Sequence, residues 1–235
     1  MPTETRERSS ATGALDQHCL SPDHSSGRVR WIYRNAFKRY TDIALTILSM
    51  PLIVPFAALV CIFIRIDSRG PVLVRVKRLG LERTSFFKYK FRTMVPDAEQ
   101  VLQELLKSDD QLRQEYLSTY KIKNDPRITR FGRWLRRTSL DELPQVLNVL
   151  RGEMSWVGPR DILDTELAMY GEFASKFVTV KPGITGLWQV SGRSRLPYSE
   201  RVRLDMFYID NVSLLLDLKI MFRTIPVVLF GDGAV

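Results

Sequence analysis

An apolar run occupies residues 43–64, where the sequence IALTILSMPLIVPFAALVCIFI has no charged side chain in 22 positions. As one helix, this run would be about 33 Å long, close to the thickness of a bilayer hydrocarbon core. Pro51 and Pro55 each remove a backbone donor inside the run and predict a bend near its middle. A soluble core helix is disfavoured, because 22 uncharged residues exceed what a core usually needs. The pattern therefore predicts a bent membrane segment.

Basic residues flank this segment on both sides. Five precede it and five follow it: Arg28, Arg30, Arg34, Lys38 and Arg39, then Arg65, Arg69, Arg75, Lys77 and Arg78. Lys and Arg mark the cytoplasmic side of a membrane. Positive charge at both ends therefore favours a re-entrant segment that enters the membrane, breaks at the prolines and leaves on the same face. The alternative is a spanning helix, in which one of the two basic flanks would lie on the non-cytoplasmic side.

Beyond residue 66 the pattern predicts a mostly helical domain with one β-hairpin. Within residues 71–91, VLVRVKR and SFFKYKF alternate apolar and basic positions around a glycine-containing turn, which is typical of a hairpin. Its cationic face is either solvated or lies on anionic headgroups. Residues 96–121 predict an amphipathic helix that packs against the core.

Residues 125–137, DPRITRFGRWLRR, predict a basic amphipathic helix. Apolar residues fall on one side of the helical wheel and arginines on the other: Ile128, Phe131, Trp134 and Leu135 against Arg127, Arg130, Arg133, Arg136 and Arg137. A membrane interface and a solvated charged face explain this pattern equally well. Further helices are predicted at SLDELPQVLNVL, at 161–178 and toward the C-terminus.

These elements predict an α+β fold, mostly helical, of a monotopic membrane protein. Its parts are a Pro-broken re-entrant helix, a small β-hairpin and amphipathic interfacial helices. Residues 1–30 form a polar tail, and the low apolar content of this tail predicts disorder. Residues 31–66 predict the membrane anchor, and residues 67–235 predict a cytoplasmic domain that carries the chemistry.

Charge and composition limit which partners and which catalytic groups are possible. The net charge of +9 lies wholly outside residues 1–30, where four arginines balance four acids. Such an excess predicts an anionic partner: phosphate, nucleic acid or acidic lipid. The two cysteines, Cys19 and Cys61, form neither a credible disulfide framework nor a thiolate metal site. Both histidines, His18 and His24, lie in the tail, so carboxylates or the substrate itself must act in any general acid–base catalysis.

Two adjacent acids, Asp141 and Glu142, lie in the stretch RRTSLDELPQ at 136–145. Helix capping is the structural explanation. Ser139 and Glu142 have the spacing of a capping box, or Asp141 is itself the N-cap with Pro144 in the first turn. Either way the acids sit at a helix N-terminus, where the dipole favours negative charge.

The surroundings of the two acids favour a second, chemical explanation. A helix N-terminus also binds phosphate; Arg136 and Arg137 precede the acids and Arg160 follows them. One acid can then attack phosphorus while the other holds Mg²⁺, which binds one or two carboxylates plus substrate phosphates. We expect the arginines to lower the pKa of both carboxyl groups.

Four sequence blocks resemble the bacterial sugar transferases. They are KYKFRTM, KNDPRITRFGRWLRRTSLDELPQVLNVLRGEMSWVGPR, KPGITGLWQVSGRS and DLKIMFRTIPVVL, and the similarity runs from about residue 35 to the C-terminus. The family comprises monotopic polyprenyl-phosphate hexose-1-phosphate transferases, or phosphoglycosyl transferases. The resemblance implies transfer of a hexose-1-phosphate from a UDP-sugar to membrane polyprenyl (undecaprenyl) phosphate with release of UMP. This would be the first membrane step of exopolysaccharide, capsule or O-antigen synthesis, at the cytoplasmic face of the bacterial inner membrane.

The same resemblance assigns roles to particular residues. Asp141 would be the nucleophile that forms an aspartyl-phosphosugar intermediate, and Glu142 with Asp141 would hold Mg²⁺. Arg136 and Arg160 match arginines that bind phosphate. Ser49 and Pro51 match the membrane bend.

The sequence departs from the family pattern at two positions. Met50 separates Ser49 from Pro51, where many relatives place serine directly before the proline. Asp161 replaces a second proline beside Arg160, and this extra acid could weaken a phosphate contact.

The loop KPGITGLWQVSGR, residues 181–193, fits two interpretations. One is a glycine-rich structural turn with Trp188 buried; in the other, Trp188, Gln189 and Arg193 line a nucleotide or sugar pocket. The expected partners are a UDP-sugar, polyprenyl phosphate and membrane lipids, and not nucleic acid, because the basic residues adjoin an apolar anchor. The non-enzymatic alternative is a basic peripheral scaffold on anionic lipids. Neither the transferred hexose nor an oligomeric state is indicated.

Overall fold

The computed structural model describes residues 27–119, 122 and 125–230. Most of the predicted polar tail, with both histidines and Cys19, lies outside this part of the chain. The described chain begins with one helical stretch made of α1 (Gly27–Ile32), a π-helical turn (Tyr33–Phe37) and α2 (Lys38–Asp67). This stretch is long and apolar enough to cross a membrane, by length and composition. The predicted apolar helix is therefore confirmed.

Helix α2 continues through both of its prolines. The Ser49 hydroxyl donates to the Thr46 carbonyl at 2.9 Å, a side-chain bond of the kind that bends helices. The re-entrant break at Pro51 stays a prediction, since the backbone around it is helical. Exposed apolar side chains, such as Leu48 at 80% and Leu52 at 76%, cover much of the middle of α2.

The predicted hairpin is confirmed. Strand β1 (Leu73–Leu79) pairs antiparallel with β2 (Ser85–Phe91) through a short 3₁₀ turn, Leu81–Arg83. The two faces of β2 have different environments, because alternate residues of a strand point to opposite faces. Phe86 and Lys88 are both buried on one of them.

The single helix predicted for 96–121 is wrong. The chain forms α3 (Ala98–Ser108) and α4 (Asp110–Thr119), and Asp109 separates them. The Asp109 carboxylate accepts from the backbone N–H groups of Gln111 and Leu112, so it caps α4 and ends α3.

Helix α5 (Arg130–Thr138) begins later than predicted. Thr129 is its N-cap and accepts from the Gly132 N–H. Before it, the Asp125 carboxylate pairs with the buried Arg127 guanidinium at 2.6 Å. Arg127 therefore does not belong to the predicted fan of exposed arginines, because a local carboxylate holds it in a turn.

The rest of the domain consists of short helices around a two-stranded parallel ribbon. The elements are a 3₁₀ helix (Leu140–Gln145), α6 (Val146–Arg151), β3 (Ser155–Val157), a 3₁₀ segment (Asp164–Phe173), α7 (Ala174–Phe177), β4 (Gly183–Thr185), α8 (Leu187–Val190), a 3₁₀ turn (Arg193–Arg195), α9 (Tyr198–Asp210) and α10 (Leu214–Phe230). Strands β3 and β4 pair in parallel. This is the mostly helical α+β architecture that the pattern predicts.

In the described part of the chain, three hydrophobic clusters hold these elements together, the smallest being Phe86, Val149 and Met154. The largest packs α9 and α10 against β3 and α8, with Leu204, Tyr208, Ile220 and Leu187 fully buried. The remaining cluster packs Val60 and Ile64 of α2 against Phe91 and Leu135. This cluster attaches the apolar helix directly to the elements that carry the two acids.

Candidate active site

The two acids lie in the first turn of the 3₁₀ helix Leu140–Gln145. Helix α5 ends at Ser139, whose left-handed backbone (φ 56°) turns the chain into this segment. Ser139 makes no side-chain cap bond, and its hydroxyl accepts from Arg193 at 2.9 Å. The capping explanation for the acids is therefore wrong: their carboxylates face a neighbouring strand.

Lys90 of β2 bridges the two carboxylates. Its Nζ lies 2.9 Å from Asp141 Oδ2 and 3.1 Å from Glu142 Oε1. The hairpin packs against the 3₁₀ helix, and this packing brings Lys90 to the acids. Although burial opposes its charge, the Glu142 and Asp141 carboxylates raise the pKa of Lys90. One ammonium group thus neutralises part of a doubly negative site.

The two carboxyl groups titrate in opposite directions. Burial raises the pKa of Asp141, and the Lys90 charge only partly offsets it. Burial also opposes ionisation of Glu142, but Lys90 and Lys88 outweigh it and hold the pKa of Glu142 below its usual range. The expected lowering of both pKa values is wrong for Asp141, because burial outweighs the opposing charges of Lys90 and Arg136. It has the right direction for Glu142, but lysines and not arginines cause it.

Arg136 lies beside the acid pair. Its Nε donates to Thr93 Oγ1 at 2.9 Å, and its charge favours the ionised form of Asp141. Burial lowers the pKa of the Arg136 guanidinium, which indicates a partly desolvated site. The structure therefore brings Arg136, Asp141 and Glu142 together around Lys90.

Arg160 belongs to a neighbouring cluster. Its guanidinium lies 4.8 Å from the centre of the Trp188 ring, and Arg201 lies 5.5 Å from the same ring. Asp161, which follows Arg160 in the chain, forms salt bridges with Arg78 at 2.8 Å and with Lys88. Asp161 therefore has its own cationic partners, and its carboxylate does not pair with Arg160.

Glu142 also faces a cavity of about 200 Å³. Gln189 and Arg193 line the same cavity, together with Trp156 and Val190. Two of the three loop residues predicted to line a pocket are thus next to the acids. Trp188 is absent from this lining and packs against the two arginines instead.

Lys90 and Lys88 are the site residues that sequence reasoning missed. The hairpin alternation marked a cationic face, and KYKF was part of the resemblance, but neither signal indicated what that face contacts. Lys88 is 4% exposed, which excludes for this residue both alternatives, a solvated position and a position on lipid headgroups.

Two carboxylates are a ligand set that Mg²⁺ accepts, but a metal ion between them would take the place of the Lys90 ammonium. No cluster of three or more His, Cys, Asp or Glu side chains occurs in the described part of the chain. Oxygens of Asp141 and Glu142 nevertheless converge on one point, where the Lys90 ammonium now lies. Mg²⁺ commonly takes one or two carboxylates and completes its shell with substrate phosphate and water.

Two adjacent acids among cations, one buried and one half-buried, on a domain joined to an apolar helix fit a membrane-associated enzyme that transfers phosphoryl groups. A family model described as "Bacterial sugar transferase" matches residues 33–231. The chain therefore belongs to the bacterial sugar transferase family. This membership confirms the predicted enzyme class, a phosphoglycosyl transferase, and counts against the scaffold alternative.

Three relatives illustrate the similarity. The exopolysaccharide production protein ExoY of Rhizobium meliloti is 40% identical over 96% of this chain and 99% of its own length. The undecaprenyl-phosphate galactose phosphotransferase of Salmonella typhimurium is 45% identical, and the UDP-galactose-lipid carrier transferase of Erwinia amylovora is 44% identical. Each of these two matches 84% of this chain but only 41% of the relative. The chain thus spans nearly all of one relative and less than half of the other two.

Proposed function

We propose that this enzyme transfers a hexose-1-phosphate from a UDP-sugar to undecaprenyl phosphate and releases UMP. The observation that carries the proposal is the pair of the buried Asp141 and the half-buried Glu142, bridged by Lys90. The names of the relatives support both substrates, and two of them specify galactose. The ExoY name supports exopolysaccharide as the product pathway.

The chemistry takes two displacement steps. An Asp141 carboxylate oxygen attacks the phosphorus next to the sugar, and the bond from that phosphorus to the bridging oxygen breaks. UMP leaves with the bonding electrons, and an aspartyl-phosphosugar remains. A phosphate oxygen of undecaprenyl phosphate then attacks the same phosphorus. Asp141 leaves as a carboxylate, and the product is an undecaprenyl diphosphate sugar.

The opposite pKa shifts of the two acids divide the roles. The raised pKa of Asp141 makes its carboxylate the more basic, and hence the better nucleophile. The lowered pKa of Glu142 keeps it ionised, as a cation ligand must be. Glu142 and Asp141 would hold Mg²⁺, which supplies charge neutralisation to the diphosphate when it is bound.

The surrounding cations fit a diphosphate substrate. Arg136 lies beside Asp141 and would contact the transferred phosphate, while Arg160 stands over Trp188 in the adjoining cluster. Gln189 and Arg193 line the cavity beside Glu142 and would contact the sugar or nucleotide. Guanidinium groups suit these roles, because they bind phosphate oxygens in pairs.

The contacts of α2 support a re-entrant anchor, and the basic residues on both of its flanks favour the cytoplasmic face. Arg39, near its start, donates to the Val149 and Leu150 carbonyls of α6. Ile64, near its end, is buried with Leu135 of α5. Both ends of α2 therefore contact the same domain, whereas the two ends of a bilayer-spanning helix lie at opposite faces of the membrane.

Single cysteines test this topology. We expect Tyr40→Cys and Ser68→Cys, in a chain with Cys19 and Cys61 replaced by serine, to react with an impermeant maleimide from the cytoplasmic side only. Labelling of the two positions from opposite sides would establish a spanning helix.

UMP release tests the nucleophile. We expect Asp141→Asn to abolish UMP release from UDP-galactose and to abolish the protein mass adduct seen after donor trapping without acceptor. Asp110→Asn is the matched control, because Asp110 is an exposed acid on α4. Normal turnover by purified Asp141→Asn would remove Asp141 from this role.

Metal dependence tests Glu142. Glu142→Gln removes one charged oxygen ligand, so we expect the Mg²⁺ concentration for half-maximal activity to rise about tenfold. An unchanged titration curve would show that Glu142 does not hold the metal.

A further inference from the structure

A second cavity, of about 270 Å³, lies at the start of the anchor helix. It is lined by four basic residues, Arg34, Lys38, Arg39 and Lys181, and by the Asp42 carboxylate. Strand β3 separates it from the acid pair: Ser155 lines this cavity and Trp156 lines the one beside Glu142. Successive strand residues point to opposite faces, so the two cavities lie on opposite sides of the ribbon.

The positive charge in this cavity is only partly compensated. Lys38 pairs with Asp217 at 2.6 Å. Arg34 donates to Thr179 and Arg39 donates to backbone carbonyls, which are neutral acceptors. Within the described part of the chain, Lys181 forms no ion pair. The cavity therefore has an excess of cationic groups.

Two of these cations are crowded together. Arg39 Nη2 and Lys181 Nζ come within 3.5 Å and 3.6 Å of the point that a Cβ on Gly152 would occupy. Burial and the Arg39 charge lower the pKa of Lys181. The Arg39 charge repels that of Lys181, and the nearby Asp42 carboxylate opposes this effect. This geometry suits a phosphate group, which accepts hydrogen bonds from several cations at once.

The position of the cavity identifies the source of that phosphate. Its residues 34–42 immediately precede the apolar run 43–64. Trp31, Phe37 and Tyr40 are exposed at the same end of the helical stretch, at 66%, 56% and 71%. Exposed aromatic side chains beside an apolar helix are typical of headgroup depth. The cavity therefore opens at the level where lipid phosphates lie.

We propose that this cavity binds the phosphate of an anionic phospholipid, at a site separate from the acid pair. The proposal rests on the membrane association argued above, but not on the transfer reaction. A bound lipid would hold the start of the anchor against α6 and β3. A zwitterionic headgroup fits poorly, because its quaternary ammonium would enter a cationic cavity.

Thermal unfolding in neutral detergent tests the site without any turnover. Phosphatidylglycerol, phosphatidylcholine and inorganic phosphate are added separately to the full chain at equal concentrations. We expect phosphatidylglycerol to raise Tm by about 2–4 °C and the other two to leave it unchanged. Lys181→Gln should lose this shift and Lys181→Arg should keep it. Lys107→Gln, which removes an exposed lysine on α3, should also keep it.

Each other outcome overturns the proposal. An equal shift in all variants, or no shift in any, would mean that the cavity does not bind the lipid. Loss of the shift in Lys181→Arg would mean that charge is not what the site provides. A shift with inorganic phosphate as large as that with phosphatidylglycerol would assign the site to a soluble phosphate instead. The Tm of Lys181→Gln without additive checks folding; we expect it to match the wild type, since no ion pair is lost.

Discussion

Replacement of Lys90 by glutamine tests the electrostatics of the acid pair most directly. The substitution keeps the length of the side chain nearly constant but removes the charge that bridges Asp141 and Glu142. Breaking a buried ion pair by removing one partner costs about 3–5 kcal/mol. The Glu142 side chain is 32% exposed and the Lys90 side chain 25%, so solvent screens part of this effect. We therefore expect a loss of about 2–4 kcal/mol at pH 8.

The loss should depend on pH with a definite sign. In the wild type the lowered pKa of Glu142 stabilises the folded state above the unfolded pKa, and this contribution disappears as the pH falls. Without Lys90, burial and mutual repulsion raise the pKa of both carboxyl groups, so the folded variant gains stability by binding protons at low pH. The Tm difference between wild type and variant should be largest at pH 8 and smallest near pH 5.

Thermal melts at pH 5 and pH 8 provide the measurement. At pH 8 we expect Tm to fall by about 5–12 °C. Lys77→Gln is the matched control, because Lys77 is an exposed lysine on the same hairpin, and its Tm should stay within about 1 °C of the wild type. Adding Asp141→Asn to Lys90→Gln removes one unpaired charge and should restore part of the loss. Equal Tm differences at both pH values would refute the reasoning.

Three further substitutions probe the frame around the site. Gly183→Ala places a Cβ 2.1 Å from the Gly158 nitrogen, a backbone atom that cannot move aside, and should cost about 3 kcal/mol or more in a thermal melt. Asp205→Asn removes a buried carboxyl whose pKa burial raises to about 7. The wild type loses stability as this group ionises, so the free energy of unfolding of the variant should rise by about 2–4 kcal/mol relative to that of the wild type between pH 4.5 and pH 7.5. A difference that stays constant with pH would exclude this titration. Thr46→Val removes the acceptor of the Trp156 indole N–H at 2.8 Å and should cost about 1–2 kcal/mol, with a change in tryptophan fluorescence as the second readout.

Local pattern predicted several elements because each depends on neighbours in the chain. The uncharged run 43–64 is a helix, and the alternation in 71–91 is a hairpin with β1 and β2 as its strands. The acids lie at a helix start, as the sequence around Pro144 indicated. Helix boundaries were less predictable. The carboxylates of Asp109 and Asp125 accept hydrogen bonds from nearby backbone N–H groups and so set where helices begin and end, and the spacing of apolar residues does not reveal such bonds.

The composition of the site could be predicted only in part. The sequence predicted a site of two acids and nearby arginines, and the structure places Arg136 beside the acids. The loop residues separate in space: Gln189 and Arg193 line the cavity beside Glu142, while Trp188 packs under Arg160. Adjacent residues of a short helix point in different directions, so membership of one loop does not imply membership of one pocket.

The sequence by itself determined which segment is apolar, which strands pair and which acids begin a helix, because these follow from hydrogen bonding and periodicity within a few residues. Only the tertiary structure decided that Lys90 bridges those acids and that Lys88 binds Asp161. Alternation along β2 fixes which side chains share a face, but the acids that contact that face lie far along the chain, 73 residues away in the case of Lys88 and Asp161. The electrostatic environment of each carboxyl group therefore depends on packing between distant segments, and it cannot be predicted from a local sequence pattern.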